Sequence, residues 1–70
     1  MSPAAWDEYI RRCDNADAVY RAEWAEAQRM PTFGQARDAT LAADRKRTAA
    51  WQAAADVAEA EGAAVAAGAL

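Results

Sequence analysis

The sequence predicts an all-α protein: a two-helix antiparallel hairpin that self-associates into a helical bundle. Three observations predict it. Twenty-three of the seventy residues are alanine, and alanine, Glu, Arg and Gln favour helix over strand. The larger apolar residues of the first half recur at helical spacing. One clear punctuation, Met30-Pro31-Thr32-Phe33-Gly34-Gln35, divides the chain. Only 15 hydrophobic residues are larger than alanine. That excludes a large two-sided core, a deep enzyme pocket and a sheet protein.

The first helix is expected over about residues 3–30, the turn at 31–32 and the second helix over about 33–66. Ser2 is the expected N-cap, with Pro3 at the first helical position. Trp6, Tyr9, Ile10, Cys13, Tyr20 and Trp24 follow, with Ala16 and Ala27 filling the gaps, as one amphipathic stripe. Acid-before-base pairs four apart, Asp7–Arg11, Glu8–Arg12 and Asp17–Arg21, add a few tenths of a kcal/mol each. The weak point is Cys13-Asp14-Asn15-Ala16-Asp17, because Asp and Asn compete for backbone hydrogen bonds. One continuous helix is the expectation, and a break with Asp14 capping a new helix is the alternative.

Proline disfavours helix at the residue before it, and Thr32-x-x-Gln35 is a capping box that opens a second helix at Phe33. On that helix Phe33, Ala36, Thr40, Trp51, Ala54, Ala58 and Val65 are expected to share a face, interrupted by Asp44 and Arg47. Gly62 and Gly68 weaken its end. A turn centred near Pro31 and Thr32 places residue i roughly opposite 63 − i. Trp24 then falls near Ala39, Tyr20 near Ala43, Ile10 near Ala53 and Trp6 near Val57, so large residues meet small ones. Asp17, the one charge inside the first stripe, falls opposite Lys46 and Arg47 and is expected to pair with them. Residues 61–70 project beyond the first helix and are expected to pack on another chain or on a partner.

The totals bound the function. A chain of this length buries only roughly 60% of its unfolded surface, and small domains add disulfides, metals or self-association. Cys13 is the only cysteine and there is no histidine, so neither an internal disulfide nor a Cys/His zinc site can form. Net charge is −3, which argues against a dedicated phosphate-backbone binder. No targeting segment is read at the N-terminus. The uncharged stretch from Gly62 to Leu70 is nine residues, against about 20 for a membrane span. A cytoplasmic protein without membrane or cofactor is expected.

The chemistry is mostly exclusion. Nucleophilic catalysis needs a base beside the nucleophile, Ser2 is the cap, and Cys13 on the apolar stripe reads as an inert small hydrophobe. Asp14, Asn15 and Asp17 lack the glycine and distal glutamate of a calcium loop. The basic run Arg45-Lys46-Arg47, with Arg37 and nearby Trp51, is the candidate for nucleic acid. Consecutive helix residues fan about 100° apart, so a solvated or ion-paired segment is the favoured account. Aromatic residues dominate binding hot spots. Trp6, Tyr9, Ile10, Tyr20, Trp24, Trp51, Val57 and Val65 are therefore the candidate protein interface.

Tyr20-Arg21-Ala22-Glu23-Trp24-Ala25-Glu26-Ala27, then Ala39-Thr40-Leu41-Ala42-Ala43-Asp44-Arg45 and Trp51-Gln52-Ala53-Ala54, resemble the small helical-hairpin proteins of tailed bacteriophages of high-GC hosts. The resemblance covers roughly residues 17–60 and is compositional. It implies an accessory of recombination genes, a factor against host defences or a virion component, and no catalytic residue. The reading is a non-enzymatic protein-binding module, a phage accessory or anti-defence factor that partners itself and another protein. A nucleic-acid or nucleotide binder using Arg37, Arg45, Lys46 and Arg47 is the alternative, and a structural virion piece is a third.

Overall fold

The computed structural model describes the backbone of residues 2–66 and the side chains of residues 2–62. Two α-helices, α1 (Pro3–Ala27) and α2 (Phe33–Ala66), pack antiparallel as a hairpin. Ser2 is the N-cap of α1: its backbone is extended, and the Ala5 N–H donates to its Oγ at 3.1 Å. The helix runs unbroken through Cys13–Asp17, so tertiary packing overrides the local preference of Asp and Asn.

Helix α1 ends at Ala27, short of residue 30. The physical reason is Pro31. Met30 cannot stay helical before it, and the turn tightens to i→i−3 bonds, Arg29 N–H to the Glu26 carbonyl (3.0 Å) and Met30 N–H to the Ala27 carbonyl (3.2 Å). The connection therefore spans residues 28–32. Thr32 caps α2, accepting from the Gln35 N–H at 3.2 Å. Gln28 bridges the turn through its side-chain amide, which donates to Thr40 Oγ1 at 3.3 Å. At the open end the Ser2 hydroxyl donates to Glu61 Oε1 at 3.1 Å.

The seam between the helices is built of alanine. The fully buried residues are Ala5, Ala27, Ala43 and Ala54, at 6%, 1%, 1% and 2% exposure, and no large side chain is fully buried among the described residues. Methyl groups let the two backbones approach closely, which leaves no room for an indole between them. The expected stripe is corrected accordingly. Tyr9, Cys13, Ala16 and Tyr20 are half-buried beside the buried alanines, whereas Trp6, Ile10 and Trp24 stand exposed along one edge. They do not insert into α2.

On α2 the inward line is Ala36, Thr40, Ala43, Arg47, Ala50, Ala54 and Ala58, a 3–4 alternation. Arg47 belongs to this line and does not interrupt it. Phe33 is 82% exposed and Trp51 sits at the margin. Val65 lies in the last turns of α2, and its side chain falls outside the described residues, as does the expected packing of the tail.

The hairpin is a single layer, with extents of 55 × 15 × 9 Å and a radius of gyration of 16.3 Å. A compact domain of this length has a radius near 11 Å. The chain has a seam where a globular domain has a core.

Candidate protein-interaction surface

A single layer has two broad faces, and helical spacing distributes the side chains between them. Trp6 and Trp24 are 18 residues apart, as are Phe33 and Trp51. Eighteen residues make about five full turns, so each pair points to the same side of its helix. Trp6, Ile10, Asp17 and Trp24 flank the α1 seam line on the side where Phe33, Trp51, Ala55 and Ala58 flank that of α2. Trp6, Tyr9, Ala55, Ala58 and Glu59 together line a notch of about 270 Å³ there. Trp6 and Tyr9 make a tilted aromatic pair, centroids 5.6 Å apart. Tyr20, Arg21 and Trp24 frame a second notch nearer the turn.

The opposite face is a groove of about 350 Å³. Its floor is alanine, from Ala16, Ala43, Ala50 and Ala54, and its rim is Arg12, Glu23 and Lys46. Val19 lines it too, as do Tyr20 and Arg47 from the seam. Val57 is one helical turn beyond Ala53, which lines this groove, and so lies away from Trp51. The sequence-predicted interface set thus divides: Trp6 with Tyr9, Ile10, Trp24 and Trp51 lie along the aromatic side, Tyr20 stands at the seam and lines notches on both faces, and Val57 does not join them.

The basic candidates diverge. Lys46 pairs with Glu23 across the seam at 2.8 Å. Arg47 pairs with Asp44 at 2.9 Å, and Arg37 with its neighbour Asp38 at 3.3 Å. Arg45 points to solvent on the outer side of α2. The expected ion pair of Asp17 with Lys46 and Arg47 does not form. Asp17 leaves α1 on the aromatic side, whereas Lys46 and Glu23 rim the opposite groove, so Lys46 meets Glu23 instead. One Asp17 carboxylate oxygen is buried without a hydrogen-bond partner, and so is Arg47 Nε. Arg11 likewise bonds Glu8 instead of Asp7, its Nε 2.9 Å from Glu8 Oε2, while Arg12 joins the same carboxylate at 2.8 Å.

Arg47 has the most developed environment. Its guanidinium carbon lies 3.8 Å from the Tyr20 ring centroid and 4.6 Å from that of Trp51. The planar cation is held between a ring of each helix. Sequence reasoning placed Arg47 among phosphate candidates, although the Arg47-to-Trp51 spacing of four was a visible signal for stacking.

Glu8, Tyr9 and Arg11 are electrostatically perturbed near the open end, Arg11 being pushed up by its hydrogen bond to Glu8. The hydrogen bonds from Arg11 and Arg12 hold the Glu8 carboxyl below the usual carboxylate range. A hydrogen bond to the Cys13 thiol pushes the Tyr9 phenol up. Among the described residues no cluster of His, Cys, Asp or Glu could hold a metal ion, and no helix is long and apolar enough to cross a membrane. No protein-family model, curated protein or solved structure matches the chain.

Proposed function

We propose that the chain is a non-enzymatic protein-binding module whose working surface is its aromatic face. One observation carries the reading. Trp6, Ile10, Trp24 and Trp51 stand together at 52%, 42%, 46% and 36% exposure on a single face. Tryptophan and arginine anchor binding hot spots, and a contiguous patch of such residues marks an interaction site. Arg21 and Arg47 border the rings. The face is long and flat, so it fits a helical surface better than a loop.

Arg45, Lys46 and Arg47 leave α2 in three directions and two of them are occupied by acids. They offer no continuous track for a phosphate backbone, which favours protein over nucleic acid as the partner. A phage-encoded accessory or anti-defence factor would use such a face to cover a helix of its target in the host cytoplasm.

Site-specific photo-crosslinking tests this reading. A photoreactive residue at Ile10 or Trp24 should yield one discrete protein adduct in cells. The same residue at Asp56, on the outer side of α2, should yield none. Equal labelling from both sides, or none from either, would remove the aromatic face as a docking surface.

A further inference from the structure

We infer that the occupant of the aromatic face is a second copy of this chain, making a dimer of two hairpins stacked face to face. The inference rests on the reading of that face as a docking surface. Surface area argues for it first. The chain exposes 4972 Å², whereas a compact monomer of its mass exposes about 4,250 Å². The excess is about 700 Å², close to the roughly 800 Å² that each partner contributes to a standard stable interface. Stacking two single layers removes that excess and produces a four-helix bundle, the smallest helical arrangement with a true interior.

The second argument is self-complementarity. A two-fold interface must match its own pattern. The acids Asp17, Asp44 and Glu59 are interspersed on this side with the bases Arg21 and Arg37, and Arg47 stands at the seam between the two faces. The face is therefore near neutral although the chain carries −3, and two copies approach without the repulsion a single-sign face would generate. The alanine groove on the other face is the poorer candidate. Its floor is alanine, the Tyr20 ring that enters it from the seam is already covered by Arg47, and its rim is already ion-paired.

The test is the mass and the tryptophan environment of the purified full-length chain. Light scattering at tens of micromolar chain should give twice the 7.5 kDa chain mass. On dilution, emission should shift to the red and acrylamide quenching should rise together as the rings are uncovered. Ile10→Glu and Trp24→Glu should lower the mass to that of one chain, and Val19→Glu should leave it doubled. The unmodified chain's dilution series decides the matter if a variant does not fold. A single-chain mass throughout, or a dimer lost only with Val19→Glu, overturns the proposal. A single-chain mass combined with a discrete crosslink from Ile10 to a different protein overturns the second copy alone and keeps the docking face.

Discussion

Arg47 of α2 lies face-on over the Tyr20 ring of α1, its guanidinium carbon 3.8 Å from the ring centroid. Among the described residues the fully buried ones are all alanine, so this stack joins the helices outside that seam of methyl groups. The Asp44 carboxylate at 2.9 Å fixes the guanidinium from the side. Trp51 backs it one turn further along.

Arg47→Ala should therefore destabilise the fold by about 1–2 kcal/mol, through lost cation–π stacking and lost cover over both rings. Arg47→Lys should recover less than half, because an ammonium lacks the planar surface that stacks on two rings. Urea denaturation at fixed chain concentration checks both. Equal stability of the three proteins would show that the stack contributes nothing.

Asp17 is the converse case. It was expected to set the register with Lys46 and Arg47, yet one of its oxygens is buried without a partner. An unpaired buried acceptor costs about 1–3 kcal/mol, and alanine is the better helix former. Asp17→Ala should leave stability unchanged or raise it by about 0.5–1 kcal/mol. A loss beyond about 1 kcal/mol in the same urea titration would restore the ion pair.

The starts of both helices were legible because they rest on local chemistry, Ser2 before Pro3 and Thr32 three residues before Gln35, whereas the end of α1 came at Ala27, three residues before the expected one. The rotation of α1 about its axis was not legible. Hydrophobicity alone aims the stripe along Trp6, Ile10 and Trp24. The structure turns only the Tyr9, Cys13, Ala16, Tyr20 and Ala27 part of the expected stripe, with Ala5, toward the partner helix. Close approach of the backbones outweighs the burial of rings that a two-helix layer can cover from one side only. The paired spacing of Trp6 with Trp24 and Phe33 with Trp51 was in the sequence, but its meaning depends on that rotation. Arg47 was misread for the same reason, since only the seam direction separates a stacked arginine from a solvated one.

The alanine seam should be intolerant of size. Ala43 is 1% exposed, so Ala43→Leu forces the helices apart and should cost about 1–3 kcal/mol. Ala42→Leu, one position away on the exposed side, should stay within about 0.5 kcal/mol of the parent. Thermal melts of the two variants, followed by circular dichroism, should separate clearly. Coincident melts would mean that the seam adapts to the added volume.

Acid should loosen the open end. Arg11 and Arg12 hold the Glu8 carboxyl below its ordinary value when folded. The folded state therefore binds fewer protons than the unfolded one through the carboxylate range. The stabilisation is present above the unfolded pKa and is lost as pH falls through the lower, folded one. Glu8→Gln should lower the neutral plateau slightly and flatten part of the acid limb of a stability-against-pH curve, so that parent and variant converge at low pH. An acid limb identical to the parent's would show that solvent screens the Glu8 pairs completely.

Ser2 performs two tasks with one hydroxyl. Its oxygen accepts from the Ala5 N–H, which caps α1, and its proton goes to Glu61 Oε1, which ties the open end to α2. Glu61→Ala removes only the half-buried tie and should cost about 0.5–1 kcal/mol. Ser2→Ala removes the cap as well and should cost about 1–2 kcal/mol. The loss should be local. Hydrogen exchange should accelerate at the amides of the first turn of α1 in Ser2→Ala, and little in Glu61→Ala, while the amides around Ala16 and Ala50 keep their protection in both. Ser2→Asp tests the division of labour, since a carboxylate caps as well as a hydroxyl but repels Glu61. It should retain first-turn protection and still lose the tie. If Ser2→Asp instead exchanged as fast as Ser2→Ala, the contact with Glu61, and not the cap, would be what holds the start of the helix.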